Sequence, residues 1–539
     1  MQKKLLAVAV LSAFSGLAAA QSANVTLYGT LLGDVQLTGA TGGDGTSTIN
    51  ANGVPNGANS SLRLNAIGPG LPLAATPLGA APSTAGNLGN RYLNATPGAA
   101  GTSSAGLGTN SLRLRENIAG SNFGVRGSED LGNGLSAWFQ LELAANIGGG
   151  SALGGAAASH NNAPSFRNSA VGLRSNTWGT VLFGQWDLPF NVAYGRNSTS
   201  GRIAAPGTTT TGSLMGNSFL GQGTVSSQDL ANFCATAGVN ATAAGCFAGS
   251  TSFDRRQNGT IQWWSPNWNG FDMRASYSMP SGSIQADNGF VGGKILPSIW
   301  DLSFGYANGG LDVIYAYERQ KDLLAVGAIS QGGFASGVGT GAWQIGSVAS
   351  PTTTALALAA GGASQVTGST STGHRLGAKY TFPLAAGSLA FSALWESLTW
   401  NLAYGTAPGV SAVAAGTPGD LTQLRKKAWK IGSSYSFGNH IITGDYYRAN
   451  NMTGSITGKT TAAGAAAIAG NAFDGSASGA RQWVLGYNYM LSKRTSTGVY
   501  YNQTNNDTNA SYGGQGFGAI SAVAGQTAKS YGFQLRHSF

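Results

Sequence analysis

Tyr531-Gly532-Phe533-Gln534-Leu535-Arg536-His537-Ser538-Phe539 alternates strictly. Tyr531, Phe533, Leu535, His537 and Phe539 share one parity, and Gly532, Gln534, Arg536 and Ser538 share the other. An extended chain sends successive side chains to opposite faces, so one face of this stretch suits an apolar medium and the other suits water. The same period recurs upstream. Trp300, Leu302, Phe304 and Tyr306 alternate with Asp301, Ser303 and Gly305, and Leu376, Ala378, Tyr380 and Phe382 with Arg375, Gly377, Lys379 and Thr381. Trp429, Ile431 and Tyr435 alternate with Lys430, Gly432 and Ser434; Trp483, Leu485, Tyr487 and Tyr489 alternate with Gln482, Gly486 and Asn488. One such segment fits any half-buried strand, but many in one chain call for a large closed sheet.

Which medium the apolar face meets follows from the rest of the chain. Lys3 and Lys4, the apolar run from Leu5 to Leu17, and Ala18-Ala19-Ala20 before Gln21 read as a signal peptide over 1–20. That run is too short to span a membrane as a helix, and nothing after it reaches 18 apolar residues. Charged residues make up 9% of the chain, against roughly 25% in an average soluble domain. An exported chain with few charges and no apolar helix fits a transmembrane barrel, whose apolar surface is spread over alternating strands. The balance is basic, with 30 Lys and Arg against 20 Asp and Glu. The basic residues are scattered singly, so no nucleic-acid partner is expected.

The pattern places sixteen antiparallel strands in one barrel over 21–539, the first at 23–38 and the last at 528–539. Connections alternate between short turns, such as Asn176-Thr177 and Ser492-Lys493, and long loops, including 39–110, 188–254 and 322–370. A membrane barrel has this asymmetry, and an even count lets the last strand close against the first. The second strand, at 111–128, changes phase: Arg113 and Arg115 are odd, whereas Asn122, Gly124 and Arg126 are even. A β-bulge near Ile118–Ser121 reconciles them. Ser61-Leu62-Arg63-Leu64 echoes Ser111-Leu112-Arg113-Leu114, so an additional hairpin and eighteen strands remain the alternative.

Ala23-Asn24-Val25-Thr26-Leu27-Tyr28-Gly29, and the run Phe123-Gly124-Val125-Arg126-Gly127-Ser128-Glu129-Asp130-Leu131-Gly132 continuing to Glu142, resemble the general trimeric porins of Gram-negative outer membranes, β-proteobacterial branch. Trp264-Ser265-Pro266 and the Arg536-His537-Ser538-Phe539 ending add weaker matches. The resemblance covers the strands and not the long loops. It implies a homotrimer in the outer membrane, among lipid and lipopolysaccharide, that passes small hydrophilic solutes. It also implies a third loop, here 188–254, folded inward, and barrel assembly machinery that reads Phe539. Two departures stand out. Gly184-Gln185 replaces a Gly-Arg pair common in the family, and the third loop is long and nearly acid-free, with Asp229 inside and Asp187 and Asp254 at its ends.

Inward parity selects Arg113, Arg115, Arg126, Arg174, Arg256, Arg274, Arg375, Lys379, Lys430 and Arg536 as pore-lining basic residues. Inward acids are fewer: Asp34, Glu142, Asp272, Asp301 and Glu396, with Asp187 and Asp229 at the constriction. Charge rings bias which ions enter, so an anion-preferring pore is expected. The competing reading is that many of these bases neutralise acids across the wall, Arg126 with Glu129 or Asp130 among them. Cys234 and Cys246 share the third loop in an oxidising compartment and are expected to form a disulfide.

No cofactor and no metal site is expected, since two Cys without a nearby His supply half a zinc shell. No enzyme activity is expected either. Of His160, His374, His440 and His537, none lies in a zinc-protease motif, and no Gly-x-Ser-x-Gly elbow occurs. Gly337-Val338-Gly339-Thr340-Gly341 opens no helix that would bind phosphate. A substrate-selective channel is the nearer rival, on Trp263, Trp264, Trp268, Trp395 and Trp400. Trp263 and Trp264 have opposite parities and cannot both face the lumen, and girdle anchoring accounts for most of the others.

Overall fold

The computed structural model describes residues 24–42, 110–116, 121–145, 166–200, 203, 214–216, 253–278, 298–321, 370–401, 421–456, 478–507, 510, 512 and 526–539. Sixteen strands run through them. In chain order, β1 is Asn24–Gly42, β2 joins Asn110–Glu116 to Asn122–Gly132, β3 is Leu135–Ala144 and β4 is Ser169–Ser175. Next come β5 (Gly179–Asp187), the helix α1 (Pro189–Arg196), β6 (Arg256–Trp264), β7 (Phe271–Ser278), β8 (Ser298–Asn308) and β9 (Leu311–Lys321). β10 is Thr370–Leu384, β11 is Gly387–Asn401, β12 is Leu421–Phe437, and β13 joins His440–Ala449 to Thr453–Ile456. β14 (Ala480–Met490), β15 (Thr495–Asn506) and β16 (Gln526–Ser538) complete the ring. Each strand pairs antiparallel with the next, and β16 returns to β1 in register from Thr30↔Ser538 to Gly42↔Gln526. No open edge is left to the membrane interior, where an unpaired backbone group costs several kcal/mol.

The polarity is inverted relative to a soluble fold. Leu27, Leu485 and Phe533 lie 52–64% exposed on the outer face, while Gln36, Gln482 and Gln534 on the opposite parity are buried. The apolar members of each alternating stretch therefore point outward and the polar members inward. Short connections close one end of the barrel. Gly309 and Gly438 adopt φ of 58° and 52° there, with open space around both, so backbone conformation favours glycine at these turns.

Register explains the phase change in the second strand. Glu116 faces Gly33 and Asn122 faces Thr30, so six steps along β2 match three along β1. The three extra residues flip parity, which puts Arg113 and Arg115 opposite Gln36 and Asp34, and Arg126 opposite Thr26. Because Gly39 already pairs with Asn110, no further hairpin enters the sheet between β1 and β2. The echo at Ser61–Leu64, the signal segment, Asp229, Cys234, Cys246 and His160 lie outside the described residues.

Candidate functional site

Past β5 the chain turns into the barrel. Pro189 at the first helical position suits its fixed φ, but Leu188 before it supplies no side-chain cap. The wall supplies it instead: Asp301 Oδ2 on β8 accepts the Phe190 amide at 2.9 Å. Phe190, Ala193 and Tyr194 then bury one helix face. At the helix C-terminus, where a cation is favoured, Arg196 donates to Asp272 on β7 (2.7 Å) and Asp312 on β9 (2.5 Å). Burial works against the Arg196 charge, but these two carboxylates outweigh it and raise its pKa.

Arg375 on β10 clamps the neck of this loop. Its Nη1 donates to the Phe190 carbonyl (2.8 Å) and to Asp254 Oδ1 (2.5 Å), so one guanidinium holds both the entry and the exit of 188–254. Nη2 reaches Glu396 on β11 at 2.7 Å, and the guanidinium lies 4.1 Å from the Phe190 ring centroid. All three charged side chains are fully buried. Burial pushes the Asp254 carboxyl up to about 6, against the pull of Arg375. Further along, Thr199 and Ser200 donate to Asp445 on β13 at 2.5 and 2.6 Å. Lys430 lies 3.3 Å from that carboxylate. Gly216 N–H donates to Glu396 (2.7 Å), and Lys426 donates to the Leu214 carbonyl. These contacts step round the inner wall from β7 to β13.

The wall from β2 to β7 differs. Glu142 takes Arg167 at 2.6 Å and the Tyr28 hydroxyl at 3.0 Å; Asp187 takes Arg256 at 3.1 Å and Asn168 at 2.9 Å. Arg126, Arg174 and Arg274 instead stack on aromatic rings, at 4.9 Å from Tyr28, 5.5 Å from Trp138 and 4.9 Å from Trp264. Among the described residues, no acid lies within ion-pair distance of these three. Arg126 therefore pairs with neither Glu129 nor Asp130.

A closed barrel with a polar interior and an inward-folded third loop is the architecture against which known proteins can be compared. The chain matches the Gram-negative porin family over residues 7–509. It belongs to that family. An outer membrane porin protein of Bordetella pertussis is 41% identical over 66 residues, 12% of this chain and 16% of that relative's length. The anion-selective porin from Comamonas acidovorans superposes with a TM-score of 0.52 at 16% identity, covering 96% of this chain and 100% of that one. OmpT, an outer membrane protein of Vibrio cholerae, gives 0.47 at 11% identity, over 97% and 99% of the two chains. At 16% identity the Comamonas superposition speaks for the fold alone. The protein is a porin of the bacterial outer membrane.

The porin's inward-parity bases divide into two groups. Arg256, Arg375, Lys379 and Lys430 are committed to acids, Lys379 at 4.0 Å from Asp312 and donating to the Arg196 carbonyl at 2.7 Å. Arg126, Arg174 and Arg274 are not. Arg536 is half-buried opposite Leu32 and Ser496, and Arg113 and Arg115 are placed by register only. Lys426 and Arg167 were missed, although Lys426 shares parity with Lys430. Trp268 and Trp395 are exposed on the outer face, whereas Trp400 faces inward, fully buried, with its ring 5.7 Å from Phe253 of the loop. Trp264 faces the lumen, whereas Trp263 packs outward 6.3 Å from Trp268. Of the histidines, His374 and His440 bond outer-face tyrosines Tyr315 and Tyr487, and His537 bonds Thr495. Phe539 exchanges both backbone hydrogen bonds with Gly29, its ring lying over that glycine.

Proposed function

We propose that this porin is a water-filled channel for passive diffusion of small hydrophilic solutes and ions, with a preference for anions, working without cofactor or catalysis. The observation that supports the preference is the unequal fate of the charges. Glu142, Asp187, Asp254, Asp272, Glu396 and Asp445 are each held in an ion pair, while Arg126, Arg174 and Arg274 make none among the described residues and lie on the lumen face. Fixed charge in a low-dielectric cleft raises the local concentration of counter-ions. The pore-lining set is then Arg126, Arg174 and Arg274, joined by Arg113, Arg115 and Arg536. Arg256, Arg375, Lys379 and Lys430 act with Asp187 and Glu142 as the frame that shapes the opening. The loop 188–254 is the constriction, with Asp229 in it and a Cys234–Cys246 disulfide stiffening it.

In the membrane the protein acts as a homotrimer surrounded by lipid and lipopolysaccharide, inserted by barrel assembly machinery that reads Phe539, after removal of 1–20. Reconstitution tests the channel. Liposomes carrying the protein should swell in small neutral solutes at rates that fall with solute size, and planar bilayers should show ohmic steps. Liposomes that swell no faster than protein-free ones would overturn the reading.

A further inference from the structure

Tryptophan is out of place on a lumen wall. In membrane barrels it belongs to the outer girdles, and Trp178, Trp268, Trp300, Trp395 and Trp483 are exposed on this barrel's outside. Trp138 on β3, Trp186 at the end of β5 and Trp264 on β6 instead gather on the inner face. Trp138 shares parity with Gln140 and Glu142, and Trp264 with Thr260 and Gln262. Ring centroids are 5.7 Å apart for Trp138–Trp186, 5.4 Å for Trp186–Trp264 and 6.4 Å for Trp138–Trp264. The first two pairs are edge-on and the third is tilted by 30°.

Among the described residues the ring contacts of the three tryptophans are with one another and with two arginines, whereas Trp400 packs on Phe253 of the loop. Trp186 and Trp264 are half-buried. Gln262 Oε1 accepts the Trp264 Nε1–H at 3.0 Å and fixes that indole's orientation. Trp138 is 93% buried, and its Nε1–H, lying over Gly172, has no acceptor among the described residues.

Arg174 and Arg274 lie over Trp138 and Trp264 and make no ion pair among the described residues. A guanidinium that stacks through its face keeps its N–H donors in the plane, in the fork that matches a carboxylate. The cluster thus combines π-surface with two guanidinium groups that make no ion pair among the described residues. A ligand matching both has an aromatic ring and a carboxylate on one small frame.

We propose that Trp138, Trp186 and Trp264, with Arg174 and Arg274, form a lumen subsite that retains aromatic carboxylates in transit. The proposal rests on the reading of this porin as an open, anion-preferring channel, and it adds a solute class to that reading. A neutral sugar would use the rings but leave both guanidinium groups unpaired. An aliphatic carboxylate would use the forks and leave the rings wet.

Two measurements separate failure of the subsite from failure of the channel. The first is quenching of tryptophan fluorescence in the folded, detergent-solubilised protein, titrated with benzoate, acetate, benzyl alcohol and glucose. It needs no conduction. Benzoate should quench at concentrations at least about tenfold below the other three, the ratio expected for stacking plus a charge-assisted fork acting together. The second is block of chloride current in planar bilayers by the same four probes. Trp264→Leu and Arg274→Gln should each shift the benzoate block by about tenfold while leaving acetate unchanged. Quenching by benzoate no stronger than by acetate or glucose would overturn the subsite, whatever the bilayers show. Equal block by benzoate and acetate in a well-conducting wild type would also overturn it and leave the channel reading intact. Benzoate-selective quenching in a protein with no chloride current would support the subsite and overturn the channel.

Discussion

Replacing Arg375 with Met keeps most of the side-chain volume and removes the charge that holds the loop's neck. Arg375 makes two fully buried ion pairs, to Asp254 and Glu396, and donates to the Phe190 carbonyl. Because none of these groups is exposed, solvent screening offers no discount. Removing one partner of a buried pair typically costs about 3–5 kcal/mol, since the remaining charge is stranded. The sheet does not depend on Arg375, whose backbone pairing with Ala316 and Glu396 stays in place. The cost therefore falls on the seated state of 188–254, and the seated fraction should drop by about a hundredfold to several thousandfold relative to the released state. Asp301 at the helix start and Asp445 farther along would remain as weaker moorings. Single-channel recordings should show larger mean conductance with strong current noise, and protease added from the long-loop side should nick the loop while the barrel stays intact. Adding Asp254→Asn removes the stranded charge and should restore quiet openings in part, since Glu396 keeps Lys426 at 3.8 Å. Wild-type conductance, noise and protease resistance in Arg375→Met would refute the clamp.

Asp254, raised by burial to about 6, should titrate within the physiological range. Its folded pKa lies above the ordinary carboxyl value, so its contribution to seating is full below about pH 4 and is lost as pH rises through about 6. As pH falls from 7 to 5, protonation leaves Arg375 less compensated, so anion preference should increase; Asp254→Asn should flatten that change, and a flat wild-type profile would contradict it. At the closure seam, Gly29→Val would drive a branched side chain into the Phe539 ring and the Asn122 carbonyl, and Phe539→Ala would remove the ring itself. Both should lower the yield of heat-modifiable barrel on gels, Gly29→Val more severely, and normal yields of both would argue against the seam's importance. Alkylation of the unreduced protein should leave the mass unchanged if Cys234 and Cys246 are bridged, whereas two added labels would show free thiols.

Much of the barrel was legible because strand parity is a local property. The Tyr531–Phe539 alternation, repeated through Trp300–Tyr306 and Trp483–Tyr489, reports side-chain direction without knowledge of any partner. Even the phase change in β2 was visible from Arg113, Arg115 and Arg126, since a parity flip needs an odd number of extra residues. Pairing across the lumen is not local. Nothing near Arg375 in sequence indicates that Asp254 and Phe190, on a loop far upstream, converge on it. The same holds for Arg196, whose two carboxylates come from β7 and β9. Parity therefore identified inward bases but could not divide them into neutralised anchors and free charges. Trp400 is a related case: parity alone does not show that an aromatic at the long-loop end of a strand packs on the loop, as it does on Phe253.

The reversal potential across a dilute potassium chloride gradient tests the central claim most directly. Net selectivity should come from the three arginines that make no ion pair among the described residues, so wild type is compared with an Arg126→Gln, Arg174→Gln, Arg274→Gln triple variant and with Lys430→Gln. Measurements belong at low salt, because screening over about 3 Å in molar salt would erase the difference. The account predicts a wild-type potential of the sign set by chloride, a shift toward zero or cation preference in the triple variant, and a much smaller shift in Lys430→Gln, whose charge Asp445 already offsets. A cation-selective wild type, or a triple variant no less anion-selective than wild type, would contradict it.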